Sequence, residues 1–78
     1  MDRLYKVLAK VLKEDPNNIN DDSSPETISG WDSFNGLLLA DELEKEFNIK
    51  FTMEEVLDVK NVRDIKRHLK NHGINLDE

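Results

Sequence analysis

Gly30-Trp31-Asp32-Ser33-Phe34-Asn35-Gly36-Leu37-Leu38-Leu39 marks the point where a loop of small polar residues stops and a helical pattern begins. Asp32 is a favoured helix N-cap, because its carboxylate can accept a hydrogen bond from the free amides of the first turn. Ser33 then becomes the first helical residue. A hydroxyl there stands beside unpaired N–H groups and the positive end of the helix dipole, a setting that favours an attached phosphate. An isolated Asp-Ser pair would be read simply as a cap, so the rest of the chain has to decide.

Seventy-eight residues allow one small domain, expected over residues 1–78, with no second core. The chain has no cysteine, so it has neither a disulfide framework nor a thiolate metal site. No apolar N-terminal segment reads as a signal peptide or membrane span, which makes a cytoplasmic monomer the expectation. A formal charge of -6 argues against nucleic acid, whose phosphates require a basic surface. The charge is unevenly placed: residues 14–58 hold thirteen acids and two bases, whereas both flanks are net basic. An acidic middle around Ser33 would attract basic partner surfaces at a rate that falls with salt, or would serve only as a solvated face.

Leu4, Val7, Leu8, Val11 and Leu12 recur at amphipathic-helix spacing and predict a first helix over about residues 2–14, ended by Asp15-Pro16. Residues 15–32 read as a long structured loop pinned by Ile19, Ile28 and Trp31, with one helical turn at Pro25-Glu26-Thr27-Ile28. Trp31 is expected to pack against the bundle as a staple. Asp15, Asn17 and Glu26 match three positions of a calcium-binding loop. Ile19 and Asn20 stand where that loop needs a ligand and a glycine, which sets the reading aside.

From Ser33 to Phe47 an advance of about 100° per residue gathers Leu39, Ala40, Leu43 and Phe47 on one face, with Leu37 at its margin. Phe34 and Leu38 fall on the other side, in line with Asp41 and Lys45. Two large apolar side chains facing outward beside Ser33 suggest a contact surface. Beyond the connector Asn48-Ile49-Lys50-Phe51, which is expected to bury Ile49 and Phe51, Thr52 and Glu55 form a capping-box pattern for a short helix. Val56 and Leu57 are expected to face inward from it. The helix is too short to be stable alone. A last helix over about residues 62–71 has Asn61 as N-cap and Val62, Ile65 and Leu69 at core spacing, with a Gly73 C-cap onto which Ile74 folds back. His68 and His72, four residues apart, are a possible metal pair but are expected to decorate the helix surface, so no metal site is assigned.

These elements predict an all-α fold, a small antiparallel bundle of three main helices plus one short helix. The expected core is Leu4, Val7, Leu8, Val11, Leu39, Leu43, Phe47, Val56, Ile65 and Leu69.

The run Asp32-Ser33-Phe34 with Leu37, Leu39, Leu43, Glu44 and Glu46-Phe47 beyond it, in a chain of this length and element order, resembles the acyl carrier proteins. The resemblance extends over nearly the whole chain. It implies that Ser33, beside the motif acid Asp32, carries 4'-phosphopantetheine attached from coenzyme A by a phosphopantetheinyl transferase. It further implies that acyl cargo rides as a thioester on the terminal thiol between acyl-loading and acyl-processing enzymes of fatty acid, lipid or polyketide biosynthesis. The protein itself would catalyse nothing. The absence of cysteine fits, because the reactive sulfur would arrive with the cofactor.

The chain departs from carriers of fatty acid synthesis, which commonly have leucine after the serine and acids soon after it. Phe34, Asn35 and Leu38 stand there instead, while Asp41, Glu42 and Glu44 keep acidic character further on. The departure implies a specialised carrier whose partner-binding residues, Phe34, Leu38, Asp41, Glu42 and Glu44, are greasier near the serine. Asp-Ser-Phe also resembles some aminoacyl carriers, including those for D-alanine, so aminoacyl or peptidyl cargo stays open. A non-carrier interaction module with the same fold is a further alternative. A hydrolase using Ser33 would need a nearby base and an orienting acid, and no nucleophile-elbow glycine pattern surrounds the serine.

Overall fold

The computed structural model describes residues 2–76. Met1, Asp77 and Glu78, the ends of the expected 1–78 domain, lie outside the described residues. Four α-helices run in order: α1 (Asp2–Leu12), α2 (Ser33–Phe47), α3 (Met53–Asp58) and α4 (Val62–Asn71). A 3-10 turn at Pro16–Asn18 opens the long loop. The architecture is the expected all-α bundle of three main helices and one short one, with no strand among the described residues.

The predicted N-caps form. Asp32 Oδ1 accepts from the Asn35 N–H at 2.8 Å and Asn61 Oδ1 from the Asp64 N–H at 2.9 Å. At α3 the capping box closes in both directions, Glu55 N–H to Thr52 Oγ1 at 3.1 Å and Thr52 N–H to Glu55 Oε1 at 2.8 Å. The helix ends share one device. The Glu14 N–H reaches back to the Ala9 carbonyl, Ile49 to Glu44 and Ile74 to Leu69, each across a left-handed residue: Lys13 (φ 55°), Asn48 (φ 55°) and Gly73 (φ 86°). Such bonds satisfy carbonyls that the helix leaves open. Lys13 takes this conformation one residue after Leu12, so α1 stops short of the Asp15-Pro16 boundary.

Leu4, Val7, Leu8, Leu39, Leu43, Phe47, Ile65 and Leu69 are buried as expected, joined by Leu12 and Val62. Val11 and Val56 are only half-buried, and Leu57 is 73% exposed rather than inward-facing. The reason is common to the last two: α3 contributes no buried residue, because it stands off from the core across a cleft.

The long loop completes the core. Ile19, Ile28 and Trp31 are all buried, and the Ser24 carbonyl closes the expected turn by accepting from Thr27 and Ile28. The loop also serves α4, whose first two amides, Val62 and Arg63, donate to the carbonyls of Ser23 and Asp21 at 3.0 Å each. Lys66 of α4 donates to Tyr5 Oη at 3.1 Å and to the Asp21 carboxylate, tying three segments together. At its far end the loop lies so close on α1 that a Cβ at Gly30 would overlap the Leu12 carbonyl.

In equilibrium denaturant unfolding, Gly30→Ala should lower stability by about 1–3 kcal/mol, because the added methyl meets backbone that cannot rotate away. By the same measurement Asp32→Ala should cost about 1 kcal/mol through the lost cap of α2.

Candidate functional site

The turn that presents Ser33 is held from both sides. Behind it Trp31 is buried, so the chain leaves the core at that residue and reaches the surface at Asp32 and Ser33, both exposed. Asp32 takes extended geometry (φ -118°, ψ -175°) and its own carbonyl accepts the Gly36 N–H at 2.8 Å. Asn35 returns the contact: its side-chain amide donates to the Gly30 carbonyl at 2.7 Å, tying the first turn of α2 to the seam on α1. The amides of Ser33 and Phe34, first in the helix, have no carbonyl within it to donate to. An exposed hydroxyl at a capped helix start, beside two such amides and the positive dipole end, fits a phosphodiester.

A cleft of about 530 Å³ runs between α2, α3 and α4, with Asp32 and Ser33 among its lining residues. Leu37, Leu39, Ala40 and Leu43 of α2 face Val56 and Leu57 of α3 across it, and Ile65 and His68 contribute from α4. The walls are therefore mainly apolar.

His68 is the departure from the sequence expectation. It is 7% exposed rather than decorating the surface, with Nε2 3.0 Å from Asp58 Oδ2 and Nδ1 3.6 Å from Glu55 Oε2. His72 Nε2 lies 2.8 Å from the same Glu55 oxygen. Both carboxyls are held below the usual carboxylate range, Glu55 chiefly by the Thr52 amide and then by His72, Asp58 by Arg67 and then by His68. Each ring nitrogen of His68 faces an α3 carboxylate, so the ring is not disposed as a base toward Ser33. Among the described residues no group of three or more histidine, cysteine, aspartate or glutamate side chains is arranged to hold a metal.

Among the described residues the exposed large hydrophobics are Phe34, Leu37 and Leu38 on α2 and Met53 and Leu57 on α3, and of these Leu37 and Leu57 line the cleft. The acids of α2 are engaged within the chain. Asp41 pairs with Lys45 at 3.2 Å, Glu42 with Lys10 at 3.6 Å and Glu46 with Arg3 at 2.8 Å. Glu44 is half-buried and accepts the Phe51 N–H at 2.8 Å, fixing the connector into α3. Leu57 and Met53 were legible as apolar residues of a short helix, but their exposure was not, because it follows from the cleft that holds α3 off the core. The roles of Glu42 and Glu44 depend on Lys10 and Phe51, which the wheel of α2 does not contain.

No helix among the described residues is long and apolar enough to cross a membrane. A comparison of the sequence with curated proteins found no match. Residues 2–69 match the family described as phosphopantetheine attachment site (PP-binding), a span that takes in the whole of α1, the long loop, α2, α3 and most of α4. With that span matched, the chain belongs to the family of phosphopantetheine-dependent carriers that includes the acyl carrier proteins, in which the domain is the site of covalent 4'-phosphopantetheine attachment and is generally non-catalytic.

Proposed function

We propose that Ser33 is the attachment residue and that the chain is a single acyl carrier domain over residues 1–78, working as a cytoplasmic monomer without catalysis of its own. The observation that carries this reading is the exposed Ser33 hydroxyl at the capped start of α2, on the rim of an apolar cleft. When bound, 4'-phosphopantetheine supplies a terminal thiol on which acyl groups are held as thioesters. The chain's residues do the rest. Asp32 keeps the first turn ordered by accepting the Asn35 amide, the open amides of Ser33 and Phe34 favour the phosphate charge, and the cleft offers cover from water for an apolar cargo. Fatty acid, lipid or polyketide biosynthesis supplies such cargo. Coenzyme A and a phosphopantetheinyl transferase are the expected source of the modification.

The contact face for the transferase and for acyl-processing enzymes is taken to be Phe34 and Leu38, extended by Met53 and Leu57. Asp41 and Glu42 border it as ion pairs that a partner would have to exchange, which costs most of what a new surface pair returns. Glu44 supports the face from behind through Phe51. Apolar burial, more than charge, is therefore the main source of affinity, in keeping with a specialised carrier.

Incubation with a phosphopantetheinyl transferase and coenzyme A should add one phosphopantetheine to the intact mass, and Ser33→Ala should abolish the gain while leaving the unfolding midpoint close to unchanged. No gain with several competent transferases would overturn the assignment and leave the non-carrier module. The mass of the loaded protein from its native cell would separate acyl from aminoacyl cargo.

Leu38→Glu should reduce kcat/KM for that modification about tenfold or more with little loss of stability, whereas Asp41→Asn should leave it within about twofold. The check is steady-state kinetics alongside thermal unfolding. An unfolded Leu38→Glu would contradict the outward placement of Leu38.

A further inference from the structure

The polar side chains that line the cleft fall into two pairs. Asp32 and Ser33 stand on its rim, while Glu55 of α3 and His68 of α4 interrupt its apolar walls. A polar group in such walls finds its hydrogen bonds within the protein or offers them to a guest. Glu55 has found them: Oε1 accepts the Thr52 amide at 2.8 Å, and Oε2 meets His72 Nε2 at 2.8 Å. His68 has found one of two. Its Nε2 meets Asp58 Oδ2 at 3.0 Å, whereas its Nδ1 stands 3.6 Å from Glu55 Oε2, beyond hydrogen-bond reach. Among the described residues no side-chain nitrogen or oxygen sealed from solvent is left without a partner, so Nδ1 is not sealed. The residue is 7% exposed and lines the cleft, and the access left to Nδ1 is from there.

The chemistry of that nitrogen selects the guest. The Asp58 carboxylate opposite Nε2 only accepts, so Nε2 carries a proton whether the ring is charged or not. Uncharged, the ring turns a lone pair into the cleft at Nδ1; charged, it turns an N–H there. A hydroxyl donates to the first and accepts from the second, and therefore matches both. A carbonyl matches the charged ring alone. An ammonium matches the uncharged ring alone, and it would bring a charge between walls of leucine, valine and isoleucine, where burial is costly.

We propose that His68 Nδ1 is a subsite for a hydroxyl on an otherwise apolar acyl chain, so that the cleft holds hydroxyacyl cargo in preference to plain acyl cargo of the same length. The inference names a cargo class within the carrier reading above and rests on it for delivery of the chain, but the subsite belongs to the unmodified protein. Apolar walls hold methylenes without fixing how far a chain slides between them. One directed hydrogen bond supplies that register.

The test loads Ser33 by a phosphopantetheinyl transferase from coenzyme A analogues whose arm ends, through a hydrolysis-resistant amide, in one of four chains. These are hexanoyl, hexanoyl hydroxylated at the third carbon, hexanoyl hydroxylated at its end, and hexanoyl with a terminal amine, each product being confirmed by intact mass. The ring-nitrogen resonances of His68 are then followed by NMR. At least one hydroxylated chain should shift Nδ1 while plain hexanoyl leaves it in place. The same chain should raise the folding equilibrium constant relative to hexanoyl by a factor about fivefold larger in the natural protein than in His68→Phe, the worth of one net hydrogen bond. Where the buried substitution prevents folding, the NMR arm decides alone, since it needs no variant. No shift with either hydroxylated chain, an equal shift with plain hexanoyl, or an equal gain in His68→Phe would overturn the subsite, and a response to the amine alone would overturn its assignment to a hydroxyl. A mass that never rises overturns the carrier reading instead. The hydroxylated hexanoyl pantetheines added to the unmodified chain then test the subsite by the same resonance.

Discussion

The three main helices of this chain do not close its core by themselves, and everything else depends on the long loop that completes it. Ile19, Ile28 and Trp31 fill the space that a longer bundle would fill with another helix. The same loop gives carbonyls to the first amides of α4 and presses Gly30 onto the end of α1. Helix α2 therefore does not begin in solvent. It begins from a segment clamped to α1 and α4, so the position of Ser33 is defined by contacts with most of the molecule.

Two kinds of packing divide the structure. On one side α1, α2 and α4 meet through leucine, isoleucine and valine with no room to adjust, as in close-packed interiors generally. On the other, α3 spans a gap on hydrogen bonds and ion pairs. Apolar packing gives a rigid frame, and polar attachment gives a wall held by a few directed contacts. The division coincides with the separation between the element that bears Ser33 and the element that closes the cleft over it.

Most of the frame was legible from local rules. Asp32, Thr52, Asn61 and Gly73 are residues whose chemistry suits one backbone role, and each takes that role in the structure. Asn48, a residue that tolerates the left-handed conformation, ends α2 in it, whereas Lys13 ends α1 in the same conformation without such a signal. The serine turn was legible through its cap. His68 was not, because a histidine on a basic helix reads as surface until Asp58, ten residues upstream, is placed across from it. Leu57 misled for the complementary reason: its helix looked amphipathic, but the core it would have met is held away by the cleft.

Arg3 and Lys10 on α1 reach across to Glu46 and Glu42, and Arg3 also lies over the Phe47 ring at 4.6 Å. The electrostatic character of α2 is thus not a property of its own sequence. Whatever occupied or displaced the outer edge of α1 would leave Glu42 and Glu46 without these partners and make α2 more acidic on that side. A neighbour on one side of the molecule could in this way alter which surfaces are welcome on the other, without any helix changing shape.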